Sequence, residues 1–315
     1  MDLTRIANVI DVVKTVAACV AVFGAGGSAG LVCNLARSGV SRFKLFDFDR
    51  ISPANVARQQ HDATDVGRSK VAALTDAIHR INPDAIVEVI EINFLDMDAA
   101  ELAAHLAECD LLIFATDRFE AQARGNELAL QFNVPALWVG LYAGGTAGEI
   151  IFWHPGLDAC LRCLCAKRYD AQAAAAKEQR SLDPASDGCT IFDVAMLDAI
   201  VGMLAIGLLT RGSDNRFGRL IDDLGDRNFI QVQLDSSWNV GGKNPIRKYL
   251  GIADECSAFF AWNTIVRADP DRGNLYCPDC YKFRGHVFLP LHGGWARVRR
   301  VQSETDTGSQ TEGAS

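Results

Sequence analysis

Two stretches near the start of this 315-residue chain carry residue types and spacings suited to nucleotide chemistry. The first is a glycine-rich turn, Gly24-Ala25-Gly26-Gly27-Ser28-Ala29-Gly30. Gly24 permits a tight turn, and Gly26, with Gly27 beside it, lets the backbone approach a phosphate. A helix opening at Ser28 aims its N–H groups at the anion. Asp47 follows roughly 20 residues on, where a carboxylate accepts both hydroxyl protons of a ribose.

The second stretch runs on from that acid, in DFDRISPANVARQ, and supplies Asn55, Arg58 and Gln59, with Lys70 close behind. Arg58 is a planar fork and Lys70 a point charge, and both can neutralise β- and γ-phosphates. Asn55 and Gln59 offer neutral hydrogen bonds to the same oxygens. Asp117, in IFATDRF at the end of an inner strand, falls where ligands collect beyond the carboxyl edge of a parallel sheet, and a carboxylate there can hold Mg²⁺. The turn and Asp47 alone would also fit an NAD dehydrogenase. The groups behind Asp47 suit a triphosphate and its metal better, and nothing here resembles an acid–base pair for hydride transfer.

Cysteines form a third set. Cys160-x-x-Cys163 and Cys277-x-x-Cys280 have the local spacing of two zinc knuckles, and four thiolates suit a closed tetrahedral Zn²⁺ site that stabilises rather than reacts. Cys19, Cys33 and Cys109 fall on apolar positions and read as core thiols. Cys256 carries no pattern, and Cys165 reads as a spare thiol beside the first knuckle. Cys189, in SDGCTIFD, directly precedes a long apolar helix, and helix N-termini favour thiolate over thiol.

Elements that would position these groups alternate between apolar runs and amphipathic segments, the pattern of an α/β fold, Rossmann-like, with a mostly parallel sheet flanked by helices. Strands are expected at 15–23, 43–48, 85–92, 111–115 and 136–141. Helices are expected at 28–38, 69–81, 97–108 and 119–132, the second ended by Asn82-Pro83. The sheet continues into 149–153, read as antiparallel. Beyond it come a long apolar helix at 192–210 and strands near 219–222 and 229–234. Domain organisation reads as one domain over 1–300, with a crossover at about 165–190 and an irregular insert at about 241–275. Residues 301–315 read as a disordered tail.

The formal net charge of -8 leaves no basic stripe for nucleic acid. Asp193 and Asp198 make the 192–210 segment a poor membrane span. Ten cysteines and no basic, apolar leader at the start point to a reducing compartment, the cytoplasm.

GAGGSAG, DFDRISPANVARQ, GRSKV, Asn82-Pro83 and the ATD at 115–117, in that order, resemble the ubiquitin-activating enzyme superfamily, the ThiF/MoeB/HesA-type adenylyltransferases. The resemblance covers about residues 15–165 and resumes at the second cysteine pair near 277, and it agrees with a zinc site that ties the crossover segment to the C-terminal region. It implies ribose binding by Asp47, triphosphate handling by Asn55, Arg58, Gln59 and Lys70, and magnesium at Asp117. The implied reaction is adenylation of the C-terminal glycine of a ubiquitin-like protein by ATP. Thioester capture on Cys189 and transfer to a ubiquitin-conjugating-type enzyme is the main expectation, with Cys165 as the alternative nucleophile. Activation of a sulfur-carrier protein for thiamine- or molybdopterin-type biosynthesis is the alternative, and a non-catalytic modifier-binding subunit another. A homodimer is implied, with helix 192–210 as a candidate interface. Family members also carry an arginine on an opening helix that reaches the partner's ATP site; here Arg5 or another chain would supply it.

Overall fold

The computed structural model describes residues 1–183, 188–251 and 277–284, and the backbone of strands at 262–265, 286–291 and 294–299. Cys256, much of the 241–275 insert and the 301–315 tail lie outside the described residues. The chain divides into two compact units, Met1–Ala268 and Asp269–Ser315.

The first unit is built on an eight-stranded sheet. In chain order its strands are β1 (Cys19–Phe23), β2 (Arg42–Phe46), β3 (Ile86–Ile90), β4 (Leu111–Phe114), β5 (Ala136–Leu141), β6 (Ala147–Trp153), β7 (Phe229–Gln233) and β8 (Trp262–Ile265). In space they run β3-β2-β1-β4-β5-β6-β7-β8. The first five pair in parallel, and β6 to β8 are antiparallel additions. β1 is buried along its whole length, as a continuous apolar run in a helix-covered parallel sheet must be. At the carboxyl ends of β1, β2 and β4 an aromatic floor forms, extended by Trp138 in the middle of β5. Phe23 stacks on Phe46 at 4.4 Å and on Phe114 at 4.5 Å, and Phe114 stacks on Trp138 at 5.8 Å.

Two expectations are corrected. The strand placed over 15–23 begins only at Cys19. Residues Val12–Ala17 are a helix, because the Asp11 side chain accepts the Lys14 N–H and caps it. The strand placed at 219–222 is helix Arg216–Leu224. Asn215 caps its start, Gly225 at φ 61° follows it, and the buried residues Gly218, Ile221 and Leu224 recur every third position.

Helix Ile191–Leu209 is long and apolar enough to cross a membrane by length and composition. In the fold it packs on helix Ala29–Arg37 and on β4, β5 and β6, burying Val194, Leu197, Val201 and Leu204. That packing accounts for the apolar residues that it buries, while Phe192 and Met196 stay exposed. The crossover before it contains helix Ala166–Lys177, and residues 184–187 lie outside the described set.

The second unit contains helix Pro278–Arg284, with Cys277 and Cys280 buried at its start, and a hairpin of β9 (His286–Leu291) and β10 (Gly294–Arg299).

Candidate functional site

Strand order reverses between β1 and β4, and a crevice opens at the carboxyl ends of the strands where it does so. Gly24 leaves β1 at φ 96°, and a Cβ there would stand 2.6 Å from the Ala115 carbonyl oxygen that leaves β4. Only glycine passes this crossing. A Cβ on Gly26 would meet the Gln59 amide at 2.8 Å, whereas one on Gly27 would meet nothing within 4 Å, so the turn is open above Gly27.

The crevice is a cavity of about 940 Å³ whose wall includes Gly24, Gly26, Gly27, Asp47, Asn55, Arg58, Gln59, Lys70, Asp117 and Cys189. Asp47 accepts the Ala25 N–H at 2.7 Å and the Asp49 N–H at 2.8 Å. These bonds tie the acid at the end of β2 to the glycine turn. Burial pushes the Asp47 carboxyl up, and Lys70 and the two N–H donors pull it back. Lys70 is itself buried and donates to Asp49 at 2.7 Å. Gln59 is buried, with its Oε1 lacking a hydrogen-bond partner. Burying an amide oxygen unpaired is costly, so this atom is a polar group held ready beside the turn. Asn55 spends its Oδ1 on the Ser52 N–H and so fixes the short helix Pro53–Val56 that carries the chain toward Arg58.

Arg58 reaches across to the crossover, with its Nη1 3.6 Å from the Cys189 sulfur. Cys189 is half-buried and stands just ahead of Thr190, which caps helix 191–209 through the Asp193 N–H. A Cβ at Gly145 would meet the Gly188 carbonyl at 2.6 Å and the Cys189 Cα at 3.1 Å, so the turn after β5 seats this cysteine. Arg5 is exposed and is not part of the cavity wall, nor is the buried Cys165.

Four residues of the wall carry chemistry that the sequence reading did not assign. Glu149 on β6 is buried and accepts a two-pronged contact from Arg168, at 2.6 and 2.8 Å. Tyr142 donates to the same carboxylate at 2.8 Å and accepts from Gln231 at 3.0 Å. Burial disfavours the Arg168 charge, but the Glu149 carboxylate outweighs this and its pKa is raised; burial and the same carboxylate push the Tyr142 phenol up. Asp198, inside helix 191–209, accepts the Leu31 N–H at 3.0 Å, and burial pushes its carboxyl up to about 7. A charge in the apolar strand AGEIIFW and another in the apolar helix were the available signals.

Cys160, Cys163, Cys277 and Cys280 make up a four-thiol set able to hold a metal ion. Cys160 and Cys163 place their sulfurs 3.7 Å apart. Sulfurs 2.3 Å from a tetrahedral zinc are separated by roughly 3.8 Å, so this pair fits the ion.

A family model described as the ThiF family matches residues 8–214. The molybdopterin-synthase adenylyltransferase of Escherichia coli is 36% identical over 147 residues, covering 44% of this chain and 56% of that protein. The ubiquitin-like modifier-activating enzyme 5 of Caenorhabditis briggsae is 30% identical over 173 residues, covering 52% of this chain and 40% of that protein. The chain thus spans about half the length of these curated relatives, or less. Among solved structures, E. coli MccB with ATP superimposes with a TM-score of 0.55 at 19% identity, covering 70% of this chain and 62% of that one. PaaA gives 0.56 at 20% identity, covering 71% and 72%. These two likenesses are of fold.

Proposed function

The chain belongs to the ThiF family, and we propose that it uses ATP to adenylate the C-terminal carboxylate of a small carrier protein or peptide. The observation that carries this reading is the gathering of Arg58, Lys70 and Gln59 in one cavity with the glycine turn and Asp47. Asp47 holds the ribose, and the open backbone at Gly27 admits the phosphates. The substrate carboxylate oxygen attacks the α-phosphorus. A new O–P bond forms, the bond from the α-phosphorus to the bridging oxygen breaks, and pyrophosphate leaves with its electron pair. Arg58 and Lys70 meet the charge that develops on the leaving group, Lys70 exchanging Asp49 for phosphate. Mg²⁺ held at Asp117 would neutralise further phosphate charge; the carboxylate is exposed on the cavity wall and offers the hard oxygen that this ion takes.

The test is ATP–pyrophosphate exchange by the isolated chain, driven by small proteins and peptides that end in glycine. Exchange that depends on the added carboxylate supports adenylation. Exchange only after addition of a second subunit would replace it with the non-catalytic, modifier-binding role.

Activation of a sulfur carrier or a comparably small polypeptide is the fate we place first, supported by the 36% identity to a molybdopterin-synthase adenylyltransferase. A second reading sends the acyl group to Cys189 and then to a ubiquitin-conjugating-type enzyme. The position of the Cys189 sulfur on the cavity wall, 3.6 Å from Arg58, favours it. There the thiolate attacks the acyl carbon, the C–S bond forms and AMP departs. Cys189→Ser is expected to keep pyrophosphate exchange within about threefold of the parent and to lose a reductant-sensitive adduct on non-reducing gels. Persistence of that adduct in the variant removes Cys189 from the reaction.

The exposed side of helix 191–209, with Phe192 at 81% and Met196 at 41% exposure, supports a homodimer. The thiol-rich composition supports a reducing cytoplasm. The four-cysteine set is proposed to hold one structural Zn²⁺: metal analysis of the full chain is expected to give one zinc per chain, and Cys160→Ser to lower both the zinc content and the melting temperature. Purified chain without zinc and with an unchanged melting temperature in the variant would end that proposal.

A further inference from the structure

We propose that Arg168, clamped by Glu149, is a specificity-determining residue that receives a backbone carbonyl of the incoming polypeptide tail; this rests on the adenylation reading above.

Arg168 is on helix 166–177 and lines the same cavity as the glycine turn. A run of contacts relates it to the phosphate end. Arg168 grips Glu149, Glu149 accepts from Tyr142, and Tyr142 opens the turn through Gly145. Gly145 in turn packs on Cys189, and Arg58 meets the Cys189 sulfur. Arg168 is therefore linked to the phosphate-handling groups through the turn after β5 and the crossover cysteine, on the wall of one cavity. A polypeptide whose terminal carboxylate is at the α-phosphate has to leave the cavity past some such position.

Charge decides what Arg168 can take there. Glu149 is buried and accepts from both Nη atoms of the guanidinium, so the positive charge is already balanced. A second anion would find a neutral pair, and drawing the arginine away would leave Glu149 buried and unpaired. The guanidinium still has N–H groups beyond the two given to Glu149, and a neutral carbonyl oxygen can accept from these without disturbing the clamp. The guanidinium plane is held by its own pairing, so little side-chain freedom is lost on binding. Tyr142 and Gln231 satisfy the rest of the network, which leaves Arg168 as its member with donors to spare toward the cavity.

The experiment uses the full chain and a synthetic decapeptide ending in Gly-Gly with a free carboxylate, read by ATP–pyrophosphate exchange. Arg168→Lys keeps a positive partner for Glu149 but loses the fork. It is expected to raise the KM for the decapeptide about tenfold and to leave the KM for ATP unchanged. Because that variant can perturb folding, the paired Glu149→Gln/Arg168→Gln protein, which leaves no buried charge unpaired, is measured beside it and should show the same selective rise. An unchanged decapeptide KM in either folded variant overturns the proposal, as does an equal rise in both KM values. Exchange absent from the parent with every glycine-ended substrate would instead remove the adenylation reading, and this inference with it.

Discussion

Arg58→Ala is expected to slow ATP–pyrophosphate exchange by about 10²–10³-fold, the usual cost of deleting one preorganised donor at a developing oxyanion. Arg58 lines the cavity immediately before the buried Gln59, on the segment that the Asn55–Ser52 bond holds in place. Deleting it leaves Lys70 as the other cation assigned to the phosphates, and Lys70 already faces a competing carboxylate in Asp49 at 2.7 Å. Under the proposed reaction, one cation would then meet the charge of a departing pyrophosphate in place of two. Arg58→Lys should recover only part of the loss, since the charge returns but the fork does not. Cys189 loses the guanidinium beside it in both variants, so exchange, which precedes any thiol step, is the measurement to use. Rates within threefold of the parent in a folded Arg58→Ala protein would take the phosphate role away from this residue.

Much of this site can be seen in the sequence because its parts are local. The turn at 24–30 is contiguous, and Asn55, Arg58 and Gln59 lie within one short segment. The parallel strands are unbroken apolar runs whose turns fix what lies at their carboxyl ends. Right-handed crossovers then decide which face each helix covers, and the observed order β3-β2-β1-β4-β5 puts Gly24 against Ala115.

Reading fails where a residue's meaning depends on distant partners. Glu149 and Arg168 are 19 positions apart, and Asp198 meets the Leu31 N–H across 167. Nothing within either local window says that those charges are paired or capped. Arg216–Leu224 misleads for another reason. Arg-Leu-Ile-Asp at its centre looks like a strand fragment, and only the Asn215 cap and the spacing of Gly218, Ile221 and Leu224 mark a helix.

Asp198→Asn is expected to stabilise the protein, and more so at alkaline than at acid pH. The carboxyl is buried in helix 191–209 and held at about 7, against an ordinary value of 3.8, because burial penalises its charge more than the Leu31 N–H rewards it. An acid whose folded-state pKa is raised binds its proton more tightly when folded. Stability is therefore fully present below pH 3.8 and is lost as pH climbs to about 7, after which the loss is constant. The whole span is worth about 4 kcal/mol, of which about 2 kcal/mol falls between pH 5.5 and 8.5. Asparagine keeps an oxygen for the Leu31 N–H and has no charge to bury, and its NH₂ can turn to the cavity that Asp198 lines. Urea unfolding of parent and variant should therefore show the variant ahead at pH 5.5 and its lead widening by about 2 kcal/mol at pH 8.5. A lead that is constant across that range, or that shrinks, would mean that Asp198 is not the proton carrier, and that its carboxylate sits ionised against the start of helix 29–37 at no cost.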